Sequence, residues 1–346
     1  MRHDLEPNPR RRRRARLGRG VGIAFATVLV ILVAYFGYVA YEGSRQLTDP
    51  PNPTADCRTP GLLGWPYESI NYDADTDAAL TAEADPLMCS SQGMPAGDAV
   101  IAGDANLAGW YVPAANGADP TAPTVLVAHG WRSNKSNMLE RAAMLHPAYN
   151  LLLLDFRNHG QSADSDTTQG VREADDIVAM IDWLEANKGP SQVAILGVSM
   201  GGASALAAAE GDDRVDAVIV ESTHATLAGA ATARLANDGY PLSVPGSWAI
   251  LLGTLVRTGE DVSAVDPVGS VARLDGRPVM VIHGALDTSI GADDAQELAA
   301  AAEAGGSSVE LHVCETAGHA DSFKVCPEAY QGWVLGFLER VLAPPA

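Results

Sequence analysis

The sequence is poor in the features that would mark a metal site or a nucleic-acid surface. Four cysteines and eight histidines are spread over 346 residues, and no Cys-x-x-Cys or His-x-x-x-His spacing occurs. The ligand patterns of zinc sites are therefore missing, and no metal is expected. Basic charge is scarce after the amino terminus. Eight of the 23 basic residues precede Val21, against two of the 43 acidic ones, which leaves 15 basic and 41 acidic residues beyond Tyr41. Such a surface repels phosphate backbones and anionic headgroups, so nucleic acid is not an expected partner. The acidic excess reads as a solvated surface. No internal repeat is evident. With 47% apolar and 19% charged residues, the composition excludes a disordered chain and suits one large packed domain with appendages.

What is present at the amino terminus is a charge contrast. Arg10 to Arg14, Arg16 and Arg19 run into Val21 to Tyr41, which holds no charged residue. A helix over that run is long enough to cross about 30 Å of hydrocarbon. Residues 1–20 then form a cytoplasmic basic tail and 21–41 a single transmembrane anchor, with everything after Glu42 outside the cytoplasm. Tyr35, Tyr38 and Tyr41 fall toward the outer interface. A cleaved secretory signal and a buried core helix are the alternatives; Tyr38-Val39-Ala40 serves poorly as a cleavage site. Residues 42–97 read as a linker and lead-in, opened by the stiff Asp49-Pro50-Pro51-Asn52-Pro53. All four cysteines, Cys57, Cys89, Cys314 and Cys326, lie beyond the span. An oxidising compartment favours disulfides, and nearness in sequence favours Cys57 with Cys89 and Cys314 with Cys326.

From Ala99 the chain alternates short apolar runs with helical stretches, the pattern of a mostly parallel sheet covered on both faces. Eight strands are expected, at 99–102, 107–112, 124–128, 151–156, 193–196, 217–221, 278–282 and 309–313. Helices are expected at 171–186, 200–209, 292–304 and 327–341.

Reacting groups in such sheets gather just past the carboxyl ends of strands. Gly197-Val198-Ser199-Met200-Gly201-Gly202 sits between an apolar run and an alanine-rich helical run. Strand, sharp turn and helix in that order lift a serine clear of the sheet, and only very small residues fit two places before and after it. Gly197 and Gly201 meet that demand, making Ser199 the candidate nucleophile. His129-Gly130-Trp131 follows the third strand, and the amides of Trp131 and Met200 are the candidate oxyanion donors. Asp155 to Ser162 follows the fourth and is expected to be structural, with Arg157 and Asp155 able to pair and His159 bracing the loop. Asp287 follows the seventh strand and is preferred as the acid over Glu221, which ends the sixth. His319, on a glycine turn after the eighth, is the candidate base, with an idle surface-loop histidine as the alternative.

The order Ser199, Asp287, His319, with His129-Gly130, His283 to Asp287 and Gly318-His319, resembles the α/β-hydrolase superfamily, most nearly its serine aminopeptidase and small-esterase branch. The resemblance covers about residues 99–342; Asn158 stands where a glycine is often found in the loop after the fourth strand. It implies an α/β-hydrolase fold over residues 98–344, a cap insertion at 222–276, and acyl transfer through a covalent serine intermediate without a cofactor. The expected substrate is a small-molecule carboxylic ester, with a peptide second. A non-catalytic binding protein on the same fold is the remaining alternative.

Overall fold

In the computed structural model, residues 9–50, 58–70 and 100–342 are described, apart from 104, 116 and 118. Helix α1 runs from Pro9 to Thr48. Its stretch Gly22–Thr48 has a mean hydropathy of 2.4 in its most apolar window, and 27 residues span about 40 Å at about 1.5 Å per residue. No proline interrupts it. It stops at Thr48 because Pro50 cannot continue a helix and disfavours helical backbone in Asp49. Glu42 to Thr48, expected as linker, is thus still helical. The proposed pair Cys57–Cys89 and most of the proline-rich spacer lie outside the described residues.

All eight expected strands form, joined by a ninth at 68–70. The strands are β1 (Glu68–Ile70), β2 (Val100–Ala102), β3 (Ala105–Val112), β4 (Thr124–Ala128), β5 (Asn150–Asp155), β6 (Val193–Val198), β7 (Val215–Glu221), β8 (Val279–Gly284) and β9 (Val309–Cys314). The sheet runs β1-β3-β5-β4-β6-β7-β8-β9, with β2 paired to β3. From β5 to β9 all neighbours are parallel, whereas β1, β2 and β5 pair antiparallel with β3. The sequence reading missed β1 because three residues cannot show a period.

Helices cover both faces, which is why the central strands are uninterrupted apolar runs. One face carries α3 (Val171–Asn187), α4 (Met200–Gly211) and α8 (Ala292–Ala304), with Ile177, Met180, Leu206 and Leu298 in its core. The other carries α2 (Leu139–Leu145) and α10 (Pro327–Val341), with Leu139, Tyr330, Val334 and Phe337. A short helix, α9 (Ser322–Val325), precedes α10. Between β7 and β8 the chain forms α5 (Leu227–Asn237), α6 (Ser243–Thr258) and α7 (Pro267–Ala272). Helix α7 belongs with α4 and α8 on the sheet. The α5–α6 hairpin, within the segment expected as a cap, packs against α1.

Because β4 lies between β5 and β6, the chain leaves it in one direction and crosses back over it to reach β6. The carboxyl ends of β4 and β6 flank that reversal, where an open α/β sheet has its crevice.

Candidate active site

Strand β6 ends at Val198 and α4 begins at Met200, so Ser199 alone makes the turn, at φ 54° and ψ −118°. A non-glycine residue held there is strained, and such strain persists only where its surroundings over-determine it. Here the Ser199 N–H donates to the Glu221 carbonyl of β7 at 2.8 Å, and its own carbonyl accepts from Gly202 N–H at 2.9 Å. A Cβ on Gly197 would overlap the Gly201 carbonyl, and one on Gly201 would overlap that of His129. The turn is tight because backbone lies against backbone on both sides. Gly130 completes the packing, since a Cβ there would stand 3.3 Å from the Ser199 Cβ.

Three of the expected side chains meet. His319 Nε2 is 3.1 Å from Ser199 Oγ, and His319 Nδ1 is 2.8 Å from Asp287 Oδ2. The other oxygen of Asp287 accepts from Ser289 N–H at 2.8 Å and Ile290 N–H at 3.0 Å. Burial pushes the Asp287 carboxyl up, but the hydrogen bond and charge of His319 and the two amides outweigh it, so the group lies below the ordinary carboxylate range. Asp287 is thus an anion aimed at one ring nitrogen, which places the proton on Nδ1 and leaves Nε2 free to accept from the serine hydroxyl.

The loops after β4 and β5 are tied by two buried histidines. His129 Nδ1–H donates to Gly130 O at 2.8 Å while its Nε2 accepts from Phe156 N–H at 3.1 Å. His159 Nδ1–H donates to Arg157 O at 2.9 Å while its Nε2 accepts from Arg132 N–H at 3.1 Å. Each imidazole holds the other's loop, and Trp131 sits between these anchors. His159 does brace the loop, as its position suggested. The expected Arg157–Asp155 pair is not made. Arg157 pairs with Asp176 of α3 at 2.6 Å, and Asp155 pairs with Lys135 and accepts from Lys135 N–H at 2.7 Å and Gln161 N–H at 2.8 Å. The long Arg157 side chain points away from the strand end, where the shorter Asp155 stays.

A profile of the α/β hydrolase fold matches residues 123–253, from β4 into α6. The chain is 22% identical to the esterase Pf2001 of Pyrococcus furiosus, with a TM-score of 0.66 over 86% of this chain and 99% of that one. The chain carries an α/β-hydrolase fold. The chain is 27% identical over 185 residues to the uncharacterized protein YfhR of Escherichia coli O157:H7, an alignment covering 52% of this chain and 58% of that relative's length. It also resembles the acylaminoacyl peptidase of Pyrococcus horikoshii, at 17% identity and a TM-score of 0.56, over 72% of this chain and 41% of that one.

Glu221, the other candidate acid, is engaged elsewhere. It is buried, accepts from Arg141 Nε and from the Tyr330 hydroxyl, each at 2.9 Å, and shows no contact with His319. Arg141 also donates to the Ala320 carbonyl at 2.8 Å, and Ser222 Oγ accepts from Ala320 N–H at 3.0 Å. These contacts seat the His319 loop from below. A disulfide between Cys314 and Cys326 closes the same loop. Arg141 escaped the sequence reading because nothing local to α2 marks it as a partner of a loop 179 residues away.

His224 was also missed, although it stands three residues past the end of β7, where such groups gather. It is buried, and desolvation, with the charge of His319 as a smaller contribution, holds its pKa down to about 4. Beside Trp131 opens a cavity of about 470 Å³, lined by Trp131, Arg132 and, from the last turn of α1 and its exit, Arg45, Gln46 and Asp49.

Proposed function

We propose that the protein is a membrane-anchored serine hydrolase of carboxylic esters, with its α/β domain outside the cytoplasm. The observation that carries this reading is the hydrogen-bonded chain Asp287–His319–Ser199. Ser199 Oγ attacks the ester carbonyl carbon and its proton passes to His319 Nε2. The oxyanion is held by the amides of Trp131 and Met200, neither of which donates to a loop or turn carbonyl among the described residues. Collapse of the tetrahedral intermediate breaks the carbon–oxygen bond, and the leaving alkoxide takes the proton from His319. Water then attacks the acyl-serine with His319 as base, and the carboxylic acid departs as the bond to Oγ breaks. Asp287 orients the imidazole and stabilises the imidazolium of each half-reaction.

The ester reading is supported by the apolar cap over this edge of the sheet and by the likeness to an esterase; peptide amides stand second, through the likeness to a peptidase. Anchoring is supported by the continuity of α1. The helix passes from the apolar run into the domain without a break, and its end is held there. The Thr48 carbonyl accepts from Thr167 N–H at 2.8 Å and Asn158 Nδ2 at 3.1 Å, and the Leu47 carbonyl accepts from Gln169 Nε2 at 3.1 Å. Cleavage near Ala40 would cut through that packed helix. The arginine cluster before the span favours a cytoplasmic amino terminus.

Labelling by a fluorophosphonate probe tests the chemistry. The native chain should react and Ser199→Ala should not. Hydrolysis of aminoacyl anilides without hydrolysis of nitrophenyl esters would overturn the ester reading in favour of the peptidase one.

A further inference from the structure

The cap helix α6 runs parallel to the anchor helix and begins at the depth of its apolar span. The Tyr35 hydroxyl donates to the Pro241 carbonyl just before α6. One and two turns later, a Cβ on Gly246 would contact Val39 at 3.7 Å and one on Gly43 would overlap Ile250. Farther on, a Cβ on Gly253 would meet the Ala40 carbonyl at 2.5 Å and the Ser44 side chain at 3.2 Å. The two backbones are drawn together by glycine on both sides of the seam. Tyr35 precedes Tyr41, the last residue of the uncharged run, by six residues, about 9 Å along the axis. The α5–α6 tip therefore lies on the span side of Tyr41, Trp248 lies about level with it, and the end of α6 lies beyond.

The face of α6 turned away from α1 and α5 is apolar and exposed. Val244, Trp248, Leu252 and Val256 form a stripe at roughly one-turn spacing, with exposed Leu242 just before the helix and Trp248 57% and Leu252 61% exposed. No charged residue occurs from Tyr240 to Val256, in a domain otherwise rich in acid. Charge returns at the edge of the span: Arg257 lies over the Tyr41 ring at 5.6 Å, followed by Glu260 and Asp261. Arg234 and Asp238, near the tip but on the α5 side, are paired at 2.8 Å. That pair limits insertion to the boundary between headgroups and acyl chains, about 5–10 Å deep for an interfacial helix.

We propose that this stripe of α6 lies in the outer leaflet beside α1, and that the hydrolase takes its ester substrate, an amphiphile with an acyl chain, directly from the bilayer. The proposal rests on the reading of residues 21–41 as a span. Two further contacts place the site at that height. Arg45, which lines the cavity beside Trp131, follows Tyr41 by four residues, about 6 Å along α1. Asn237, at the end of α5, donates to the Thr288 carbonyl next to Asp287, so the cap tip and the site share a rim.

The test uses the full chain in phosphatidylcholine vesicles. Lipids brominated near the headgroup end of the acyl chain should quench a part of the tryptophan emission that Trp248→Phe abolishes. Leu242→Trp should add emission quenched better by bromine nearer the chain methyl. Trp248→Ser with Leu252→Ser should lower hydrolysis of a long-chain ester held in the vesicles about tenfold, with hydrolysis of a soluble short-chain ester unchanged. Unquenched Trp248 in a chain that resists carbonate extraction would overturn the proposal and leave the anchor standing. Release of the chain by carbonate would overturn both. Equal loss on both esters, with Trp248 unquenched, would make the stripe ordinary packing surface.

Discussion

His159 accepts a hydrogen bond from the backbone N–H of Arg132 at 3.1 Å, and so fixes the residue next to the proposed oxyanion donor Trp131. Arg132 itself is held at φ 60°, a conformation a side chain rarely adopts unaided. Replacing His159 with Phe removes the acceptor and frees the turn. Loss of a whole oxyanion donor costs about 10²–10³ in kcat; a donor merely loosened should cost less, about tenfold, with KM little changed. Steady-state kinetics on one soluble ester checks this, and a pure KM effect would contradict it.

Asp287 and Glu221 are both buried acids at strand ends, yet their substitutions should fail differently. Asp287→Asn should lower kcat by about 10³–10⁴ with little loss of stability, because the amide favours the wrong imidazole tautomer. Glu221→Gln should leave Arg141 as an uncompensated buried cation, at a cost of about 3–5 kcal/mol. Urea unfolding read beside ester turnover separates the two. A stable but inactive Glu221→Gln would reverse the roles assigned here.

Two buried histidines should each lower stability as the solution is acidified, against the opposite contribution of Asp176, whose carboxyl burial pushes up to about 7. Burial holds His129 at about 3 and His224 at about 4, against an ordinary 6.5. Both stay neutral in the folded chain while the unfolded chain takes up their protons, so what they contribute is complete above pH 6.5 and declines from there toward pH 4. At about 1.4 kcal/mol per pKa unit, His224 contributes on the order of 3 kcal/mol and His129 on the order of 5 kcal/mol by the bottom of its window. The carboxylates held low, Asp287 and Asp155, act only at lower pH. His224→Phe should flatten the urea midpoint between pH 6.5 and 4 by about one histidine's worth; an unchanged slope would refute the assignment.

The Cys314–Cys326 bridge closes a loop of sequence separation 12 that carries His319. Replacing both cysteines with Ser should lower stability by roughly 3 kcal/mol, from the unfolded-chain entropy a loop of that length removes. Because Arg141 and Ser222 still hold Ala320, part of the activity should survive at low temperature. Activity followed against temperature, with and without reductant, distinguishes this from a loop that collapses outright.

Much of the domain was legible along the chain because its signals are local. Val193 to Leu196, Gly197-x-Ser199-x-Gly201 and the alanine run after it announce strand, turn and helix within twenty residues, and His319 follows its strand on a glycine. The helical cap was less legible. The span from Ser222 to Gly276 showed only that it was long and apolar, and α5 and α6 take their places by packing on α1, far away in sequence. Strand β1 is too short to show alternation. Arg157 illustrates the same limit, since the nearest acid in sequence, Asp155, is claimed by Lys135, and Asp176 comes to it only when α3 folds onto the sheet.

The order of residues along the chain determined the fold class and the candidate serine and histidine at their strand ends, because each depends on backbone geometry within a few residues of a strand end. Only the tertiary structure decided which acid faces His319, which side chains seat the loops, and that helix α1 reaches the rim of the site. Those choices rest on distances between segments, and burial allows a charged group only the partner that actually reaches it.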